Sequence, residues 1–515
     1  MRLNKLLLAG SVLALALTGC SKNQEPGQEA QQGATTYASI TFSMPGSTLR
    51  AADPGKENYE GEWAGQDKIN NVDIYVESQG TMQKLNDQTL VAIDAVPGTY
   101  RVAAWKTTAG TKTIYVVVNN GGAIETALDA AKTADAFKTA WNTAYDMVET
   151  NGELKAAYAS VGADNKDVIM MTGMSAQVVI NEGITEDAAN TAASSANATT
   201  TAATLAAANV VKVDVNRIAA RVLATLNGTS TSMEYKANTV KIADIKNIKW
   251  TVMQYEAKSY PGLQTNFASP AYAFVSAAYP DATNRTGKYS YGRTTLTAIK
   301  NYTRTATPNP KNQDEANKIV LNASDMKFVT ETTHKWGDKG ASDYRKGNSA
   351  YVLVEAQVEP VEAFFAVATD YTSWSADKTK DLYFCTGGAA GVSGKFYLKS
   401  TMEGLTGYAV DVAGKDNFIK FAAGKMYYYA WLNPNTLEVN TWENSPVWRN
   451  NIYHVNITGF NKLGFSADPL NPDTPTPDPD DPIPGTDEHL NDPETYMGVH
   501  VTVIKWGVNS YDIVL

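Results

Sequence analysis

The residue with the most specific chemistry is a cysteine that follows a short apolar segment. Arg2 and Lys5 precede the apolar run 6–17, which leads into Leu17-Thr18-Gly19-Cys20. At about 1.5 Å per residue this run is too short to span a bilayer core of about 30 Å, but it has the length of a signal-peptide h-region. The last four residues match the bacterial lipobox, in which the cysteine is acylated and becomes the new N-terminus. We predict lipidation at Cys20; the alternative is an ordinary signal peptide that ends in cysteine.

An accessible arginine is the second candidate for covalent processing. Arg50 follows Pro45-Gly46 in a stretch that separates a predicted strand from a further segment containing Pro and Gly. Such flexible stretches are preferred sites of proteolysis. Cleavage after Arg50 would create an N-terminus at Ala51, and Lys56 is the main alternative site. On residue type alone, an ordinary loop arginine is the better interpretation.

Signatures of catalysis and metal binding are missing from the sequence. The HExxH, GxSxG, Walker A and GxGxxG motifs do not occur. Cys385 follows Leu-Tyr-Phe without a basic neighbour to lower its pKa, so we expect it to pack as a small apolar side chain. We expect no enzyme activity, no catalytic residues, no cofactor and no metal site. The four histidines have no metal-ligand spacing: His334, His454, His489 and His500.

Composition limits the possible partners and the number of domains. The chain has 515 residues and a net charge of −10, which allows two to four domains and argues against a nucleic-acid partner. Only two cysteines occur, Cys20 and Cys385, so a chain acylated at Cys20 would contain no disulfide. After the signal region no segment is long and apolar enough to predict a transmembrane helix.

Short alternating segments predict a mainly antiparallel β architecture. In the first of them, Ala38, Ile40, Phe42 and Met44 alternate with polar residues. Helical spacing predicts one amphipathic helix over about 124–148. Residues 21–35 are predicted to be a disordered tether, and the Ala-rich stretch 186–209 a low-complexity surface loop. Further strands are predicted at 72–76, 114–118, 167–171, 177–180, 211–215, 351–354 and 452–457.

The C-terminus combines a linker with strands that have no sheet of their own. Residues 466–495 contain eight prolines and seven aspartates but no Lys or Arg, which predicts an extended, solvated linker. In the twenty residues 496–515, apolar residues alternate twice. An isolated hairpin is marginally stable in water, so these strands must pair elsewhere. Either they fold back on their own molecule or they enter another one. The alternating apolar residues are Met497, Val499, Val501, Val503, Tyr511, Ile513 and Leu515.

The order of these features, together with several short stretches, resembles a known family. The chain is similar to the fimbrillins of the Bacteroidales type V pilus, and among them to the major shaft subunit of the short (minor) fimbriae. The similarity covers nearly the whole chain, except that the Ala-rich stretch 186–209 matches nothing in the pattern. The stretches that carry it are 61–69 (GEWAGQDKI), 170–173 (MMTG), 213–222 (VDVNRIAARV), 248–252 (IKWTV), 351–355 (YVLVE) and 447–453 (VWRNNIY).

The resemblance implies a fold: two transthyretin-like antiparallel β-sandwich domains with a short helical insertion and a C-terminal donor-strand extension. The implied division is a lipoprotein signal peptide, a propeptide with a sacrificial strand, two sandwich domains, a Pro/Asp-rich linker and a donor strand. The corresponding ranges are 1–20, 21–50, 51–262, 263–465, 466–495 and 496–515.

The resemblance also implies a life cycle. The precursor is an outer-membrane lipoprotein acylated at Cys20, and a trypsin-like, arginine-specific protease cleaves it between Arg50 and Ala51. Cleavage removes the sacrificial strand 38–44 and leaves an apolar groove. The C-terminal strand of the next subunit, beginning near Met497, fills the groove and extends a surface fimbria that supports adhesion and biofilm formation. The implied partners are identical subunits head to tail, accessory tip and anchor proteins, the protease, and surface ligands that are not specified.

Three other functions make different predictions from the same features. A fimbrial tip or accessory adhesin, which would bind glycan or protein, has no subunit beyond it and would lack the orphan strand and its linker. A basal anchor would keep its lipid and lack the cleavable arginine. A surface enzyme would need a catalytic constellation, which the sequence does not contain.

Overall fold

The computed structural model confirms a mainly β protein. No helix in the described part is long and apolar enough to cross a membrane. The structure describes residues 34–43, 58–61, 64–85, 88, 90–92, 99–164, 166–196, 200–277, 285, 287–292, 296–302, 326–337, 340–387, 391–410, 418–434, 443–468, 470, 486–490, 497–506 and 510–513.

Among the described residues, fifteen strands and four helices precede residue 218. The strands are β1 (Thr35–Ser43), β2 (Asn58–Gly61), β3 (Ala64–Ile69), β4 (Val72–Ser78), β5 (Thr81–Leu85), β6 (Leu90–Ala92), β7 (Thr99–Thr108), β8 (Gly110–Val118), β9 (Tyr145–Asp146), β10 (Ala159–Val161), β11 (Asp167–Ile169), β12 (Met171–Met174), β13 (Val178–Ile180), β14 (Val210–Asp214) and β15 (Asn216–Arg217). The helices are α1 (Gly122–Ala130), α2 (Ala134–Trp141), α3 (Glu186–Ser194) and α4 (Ala202–Ala207).

In the described part of the remaining chain, fifteen further strands and two helices follow. The strands are β16 (Ala219–Asn227), β17 (Met233–Ala237), β18 (Val240–Met253), β19 (Lys258–Ser259), β20 (Thr297–Ala298), β21 (Lys300–Tyr302), β22 (Lys327–Thr330), β23 (Tyr351–Pro360), β24 (Leu382–Cys385), β25 (Phe396–Tyr397), β26 (Phe418–Phe421), β27 (Lys425–Trp431), β28 (Asn451–Phe460), β29 (Met497–Trp506) and β30 (Ser510–Ile513). The helices are α5 (Ala368–Ala376) and α6 (Lys399–Glu403).

The N-terminal part is a sandwich of two sheets. One sheet has the order β14-β1-β7-β6, and the other has the order β15-β12-β8-β4-β5. Apolar side chains of both sheets meet in one buried cluster, in which Ile40, Val102 and Val116 are completely buried. The predicted alternation in β1 is therefore an alternation between this core and the opposite face of the sheet.

Helices α1 and α2 cover the second face of the sheet that contains β4 and β8. Their aromatic side chains pack on Tyr115, whose ring centroid lies 4.8 Å from that of Phe137 and 5.0 Å from that of Trp141. The prediction of one continuous helix over 124–148 was wrong: the chain breaks after α1, and α2 ends at Trp141. The break is stabilised locally, because Thr133 caps α2 by accepting a hydrogen bond from the Ala136 amide at 3.3 Å.

A larger core occupies the C-terminal part. The sheet β2-β29-β28-β16-β21 and the sheet β17-β18-β23-β27 contribute to it, with Trp250 and Trp431 almost fully buried. Residues 219–253, which the predicted division places in the N-terminal domain, pair with β28 through β16 and with β23 through β18. Most strand pairs are antiparallel, as predicted, although β1 with β14 and β16 with β28 are parallel.

The Ala-rich stretch was incorrectly predicted to be a surface loop without a core. It forms α3 and α4, each capped by a threonine at its N-terminus. Ala189 and Ala193 of α3 are fully buried, and Leu205 of α4 joins Ala193 in a small apolar cluster. Small side chains let the helices approach the sheet closely, so packing occurs without the large apolar residues by which a core helix is usually recognised.

Buried ion pairs join strands that are distant in sequence. Asp67 of β3 and Arg217 of β15 approach to 2.5 Å, and both side chains are completely buried. Asp167 and Arg221 form a second buried pair at 2.7 Å. Because an isolated buried charge costs several kcal/mol, the first pair strongly favours one position of β3 relative to β15, and the second favours one position of β11 relative to β16.

Another buried carboxyl group makes the stability of the C-terminal part sensitive to pH. Burial raises the pKa of Glu256 to about 8, from an ordinary value of 4.5. The carboxylate oxygens accept hydrogen bonds from the Ser269 hydroxyl and, at 2.7 Å, from the Ala271 amide. The folded state therefore holds this proton more tightly than the unfolded chain does.

We expect the contribution of Glu256 to the free energy of unfolding to be largest below about pH 4.5 and to fall as the pH rises towards 8. The slope is at most about 1.4 kcal/mol per pH unit. Glu256→Gln removes the titrating proton and should flatten this part of the profile. Denaturant unfolding of both proteins at pH 5 and pH 8 measures the difference, and parallel profiles for the two proteins would contradict the assignment.

Candidate functional site

The first described strand occupies the centre of its sheet. β1 pairs in parallel with β14 on one edge and antiparallel with β7 on the other. Ala38, Ile40 and Phe42 are completely buried in the N-terminal core, and the Phe42 ring stacks on Tyr100 with centroids 5.6 Å apart. The structure thus brings together three of the four residues predicted for the sacrificial strand. Met44, Cys20, Arg50 and Ala51 lie outside the described residues.

A threonine at the beginning of β1 is held by a polar pocket. The Thr36 hydroxyl accepts hydrogen bonds from the Ile184 amide at 3.1 Å and from Asn209 Nδ2 at 3.2 Å. It also donates to the Ile184 carbonyl at 3.3 Å. Thr36 and Asn209 are each only 1% exposed, so the pocket accepts a hydroxyl in a site without water access.

Asn209 is the centre of this pocket. Its Nδ2 also donates to the carbonyl oxygens of Tyr37 at 2.9 Å and Asn181 at 2.8 Å, while its Oδ1 accepts from the Asn181 amide at 2.7 Å. Its backbone has a φ of 56°, in the left-handed region that asparagine tolerates better than most residues. Sequence reasoning missed Thr36 and Asn209, because contacts across 173 residues leave no periodic signal.

The two serines of β1 are also hydrogen-bonded within the protein. The Ser39 hydroxyl donates to the Val102 carbonyl at 2.7 Å, beside an irregularity in the β1–β7 register. The Ser43 hydroxyl donates to Asp214 Oδ1 at 2.7 Å. Ser39 and Thr41 are nearly as buried as their apolar neighbours. β1 is therefore enclosed on both faces as well as on both edges.

Helix α3 forms the outer cover. It packs on β1 and β7, on the face opposite the main N-terminal core. Asn190 fixes the helix to β7, because its Oδ1 accepts a hydrogen bond from the Ala104 amide at 2.9 Å. If β1 were removed, the protein would expose a slot one strand wide, with the apolar core as its floor and α3 as its roof.

The C-terminal strand folds back onto its own chain in this structure. β29 pairs antiparallel with β28, so that Val499, Val501 and Val503 lie opposite Ile457, Val455 and Tyr453. Its other edge pairs in parallel with β2, and β30, which contains Tyr511 and Ile513, pairs in parallel with β3. Met497 is buried in the large C-terminal core, and Leu515 lies outside the described residues. Of the two alternatives open from sequence, the structure contains the intramolecular one.

The predicted linker is anchored at both described ends, so the expectation of a wholly solvated segment was wrong for these residues. Leu470 and Leu490 are 1% and 0% exposed and belong to the large core. The Gly347 amide donates to the Thr486 carbonyl at 2.8 Å, and Lys346 Nζ lies 2.6 Å from Glu488 Oε2. Six residues, 491–496, separate the second anchor from β29.

The cysteine and the two histidines considered next for chemistry make contacts that give them structural roles. Cys385 is buried in an apolar cluster, as predicted, and burial raises the pKa of its thiol. His334 is buried with a pKa lowered to about 4, mainly by burial, and one ring nitrogen lies 3.0 Å from the Asn348 carbonyl. His489 Nδ1 lies 3.0 Å from Arg345 Nη1. Among the described residues, no three His, Cys, Asp or Glu side chains are grouped to hold a metal ion.

Comparisons with known sequences connect these features to fimbriae. Residues 419–512 match the family "Major fimbrial subunit protein type IV, Fimbrillin, C-terminal". Two sequences from Porphyromonas gingivalis, both named "Minor fimbrium subunit Mfa1", are each 33% identical to this chain over 539 residues. Each alignment covers 100% of this chain and 100% of the relative.

The solved structures that align with this chain are more distant in sequence. A fimbrilin (FimA) from Porphyromonas gingivalis W83 aligns with a TM-score of 0.41 at 14% identity, covering 93% of this chain and 99% of that one. The tip fimbrial protein Mfa3 from Porphyromonas gingivalis aligns with a TM-score of 0.37 at 10% identity, covering 92% and 100%.

Leu490 anchors the chain just before β29, so changing this residue should loosen the attachment of β29 to its own chain. Leu490→Ala should destabilise this attachment by about 2–4 kcal/mol, because it removes a fully buried side chain. Backbone amides of β29 should then exchange with deuterium faster than in the unmodified protein. The control Glu488→Ala breaks an ion pair whose carboxylate is 56% exposed, and should change exchange little. Equal exchange of β29 in both variants would contradict the anchor.

Proposed function

The chain belongs to the fimbrillin family, among the minor fimbrium subunits, and on this premise we propose that it is the structural shaft subunit of a cell-surface fimbria that grows by strand exchange. The observation that carries the proposal is the position of β1. It is the first described strand of the chain, yet it lies in the centre of a sheet and is buried on both faces. Its removal would create a binding site for one strand and nothing larger.

Export comes first in the proposed sequence of events. The precursor is acylated at Cys20 and reaches the outer membrane as a lipoprotein while β1 fills its own sheet. This order protects the subunit during transport, because an open slot would expose apolar surface and two unpaired strand edges. Burial of Ile40 and Phe42 contributes about 1.5–3 kcal/mol each to keeping the slot closed.

A trypsin-like, arginine-specific protease then cuts between Arg50 and Ala51. The cut separates β1 from the body of the protein without disturbing β3, because the buried Asp67–Arg217 pair holds β3 independently. The lipidated propeptide, which begins at the acylated Cys20 and ends at Arg50, carries β1 away, and the mature subunit begins at Ala51.

Strand exchange then joins the subunits. The C-terminal strand of one subunit, beginning near Met497, leaves β28 and enters the empty slot of the next subunit. Each subunit has one donor strand at its C-terminus and one slot in its N-terminal part, so the contact is head to tail and does not close on itself. The product is an open filament, whose partners are identical subunits along the shaft and accessory tip and anchor proteins at the ends.

A shaft role needs structural side chains and no catalytic centre. The chain acts as a structural protein and not as an enzyme, in a fimbrium on the cell surface, where the filament supports adhesion and biofilm formation. A cofactor has no part in this function, and no step of assembly involves nucleic acid.

Processing is tested by Arg50→Ala. We expect this variant to accumulate as a lipidated precursor without filaments, because β1 stays covalently attached and keeps the slot occupied. Mass spectrometry of the mature N-terminus and electron microscopy of surface filaments measure the two effects. The control Lys56→Ala should mature to an N-terminus at Ala51 and assemble normally. Normal filaments from Arg50→Ala would exclude cleavage at this residue as the activating step.

The donor role is tested by changing the C-terminal strand. Deleting residues 496–515 should leave a subunit that is exported and cleaved but does not extend a filament. Val501→Asp should shorten filaments severely, since it would bury an unpaired charge in the slot, whereas Val501→Ile should assemble. Filament lengths from electron micrographs distinguish the variants. Long filaments from the deletion variant would refute donation by this strand.

A further inference from the structure

The resident strand and the C-terminal strand share a sequence pattern. Residues 36–43 read Thr-Tyr-Ala-Ser-Ile-Thr-Phe-Ser, and residues 495–502 read Thr-Tyr-Met-Gly-Val-His-Val-Thr. Both begin with Thr-Tyr, have apolar residues at the third, fifth and seventh positions, and end in a hydroxyl residue. The other Thr-Tyr pair of the chain, at 99–100, is followed by Arg101 and breaks the pattern.

We propose that residues 495–502 of one subunit replace residues 36–43 of the next subunit position by position and in the same direction. This inference rests on the proposed strand exchange and specifies its register. In this register Met497, Val499 and Val501 enter the core positions of Ala38, Ile40 and Phe42. Met497 is larger than Ala38, and Val501 is smaller than Phe42. The two differences offset each other, so the total volume of the core side chains stays similar.

The Thr36 pocket is the feature that selects the register. The pocket takes one hydroxyl from the bound strand. This hydroxyl accepts hydrogen bonds from the Ile184 amide and from Asn209 Nδ2, and it donates one to the Ile184 carbonyl. Thr495 supplies that hydroxyl. A shift of two residues would bring Pro493 or Met497 to the pocket, and neither side chain can accept the hydrogen bond of the Ile184 amide as the hydroxyl does. A shift of one residue would turn the apolar side chains away from the core.

Two positions of the donor differ from the resident strand. Gly498 replaces Ser39 and lacks the hydroxyl that donates to the Val102 carbonyl at 2.7 Å. His500 replaces Thr41 on the face covered by α3, so the helix must adjust to a larger side chain. The first difference has a direct consequence: Gly498→Ser restores the missing donor and should tighten the joint between subunits.

Disulfide trapping measures the register directly. In the resident strand the Ser43 hydroxyl lies 2.7 Å from Asp214 Oδ1, so the proposed register brings Thr502 of the donor beside Asp214 of the acceptor. Full-length chains with Thr502→Cys and Asp214→Cys are cleaved by an arginine-specific protease, allowed to assemble and oxidised. We expect a ladder of cross-linked subunits on a non-reducing denaturing gel. The matched controls Ile504→Cys with Asp214→Cys, and His500→Cys with Asp214→Cys, report shifts of two residues and should remain mostly monomeric.

The cross-linking outcomes test the register separately from the proposed strand exchange on which it rests. Filaments that cross-link through residue 504 or 500, or through none of the three pairs, would overturn the register and leave strand exchange intact. A chain that is cleaved but forms no filaments would overturn the proposed function, and the register with it. A ladder with Thr502→Cys alone among the three pairs supports the assignment.

Substitutions at the pocket give an independent measurement. Thr495→Val should accelerate dissociation of subunits in denaturant by roughly tenfold or more, because it removes the acceptor of the Ile184 amide, while Thr495→Ser should stay near the unmodified rate. Gly498→Ser should slow dissociation. Equal dissociation rates for Thr495→Val and Thr495→Ser would show that the pocket does not distinguish a hydroxyl from a methyl group at this position.

Discussion

The architecture depends on the requirement that buried strand edges be paired. β7 and β14 lie on either side of β1 and make no pairing with each other, so both need a strand between them. In water their free amide and carbonyl groups would be solvated, but beneath α3 and above the N-terminal core they have little access to solvent. Any strand that fills the slot must therefore first pair its backbone with β7 and β14. In the proposed register, side chains at the Thr36 pocket and at the core positions of Ile40 and Phe42 then select which strand enters.

The C-terminal strand satisfies the same requirement inside its own subunit. β29 lies between β28 and β2, and the anchors at Leu470 and Leu490 hold the chain that leads to it. If this strand is the donor, as proposed, a subunit with this arrangement has no unpaired donor strand before assembly, which limits premature association. The proposed donation exchanges one set of backbone hydrogen bonds for another, so its free energy depends on the difference between two similar environments and on the side chains that each one buries.

Sequence periodicity predicted the strands but not their surroundings. The alternation of Ala38, Ile40 and Phe42 identified β1, yet Ser39 and Thr41 suggested a solvent-facing side that is in fact covered. That cover, α3, was not predicted, because Ala189 and Ala193 pack by being small and not by being strongly apolar. The fold-back of β29 on β28 was also left open from sequence, since pairing between distant strands has no local signal.

In the proposed assembly, proteolysis changes the molecularity of strand binding more than it changes the contacts that hold the strand. Before the cut, β1 is tethered to its slot, and a tether of this kind corresponds to an effective concentration in the millimolar range. A donor strand from another subunit cannot compete with such a ligand at ordinary protein concentrations. After the cut, the same contacts hold β1, but each dissociation releases it into the surrounding volume, and return becomes a bimolecular event. The incoming donor is itself tethered to a subunit, and each strand that enters adds a new donor at the growing end. In this proposal, cleavage converts a resident strand that always returns into one that is lost once it is displaced, and this difference gives assembly its direction.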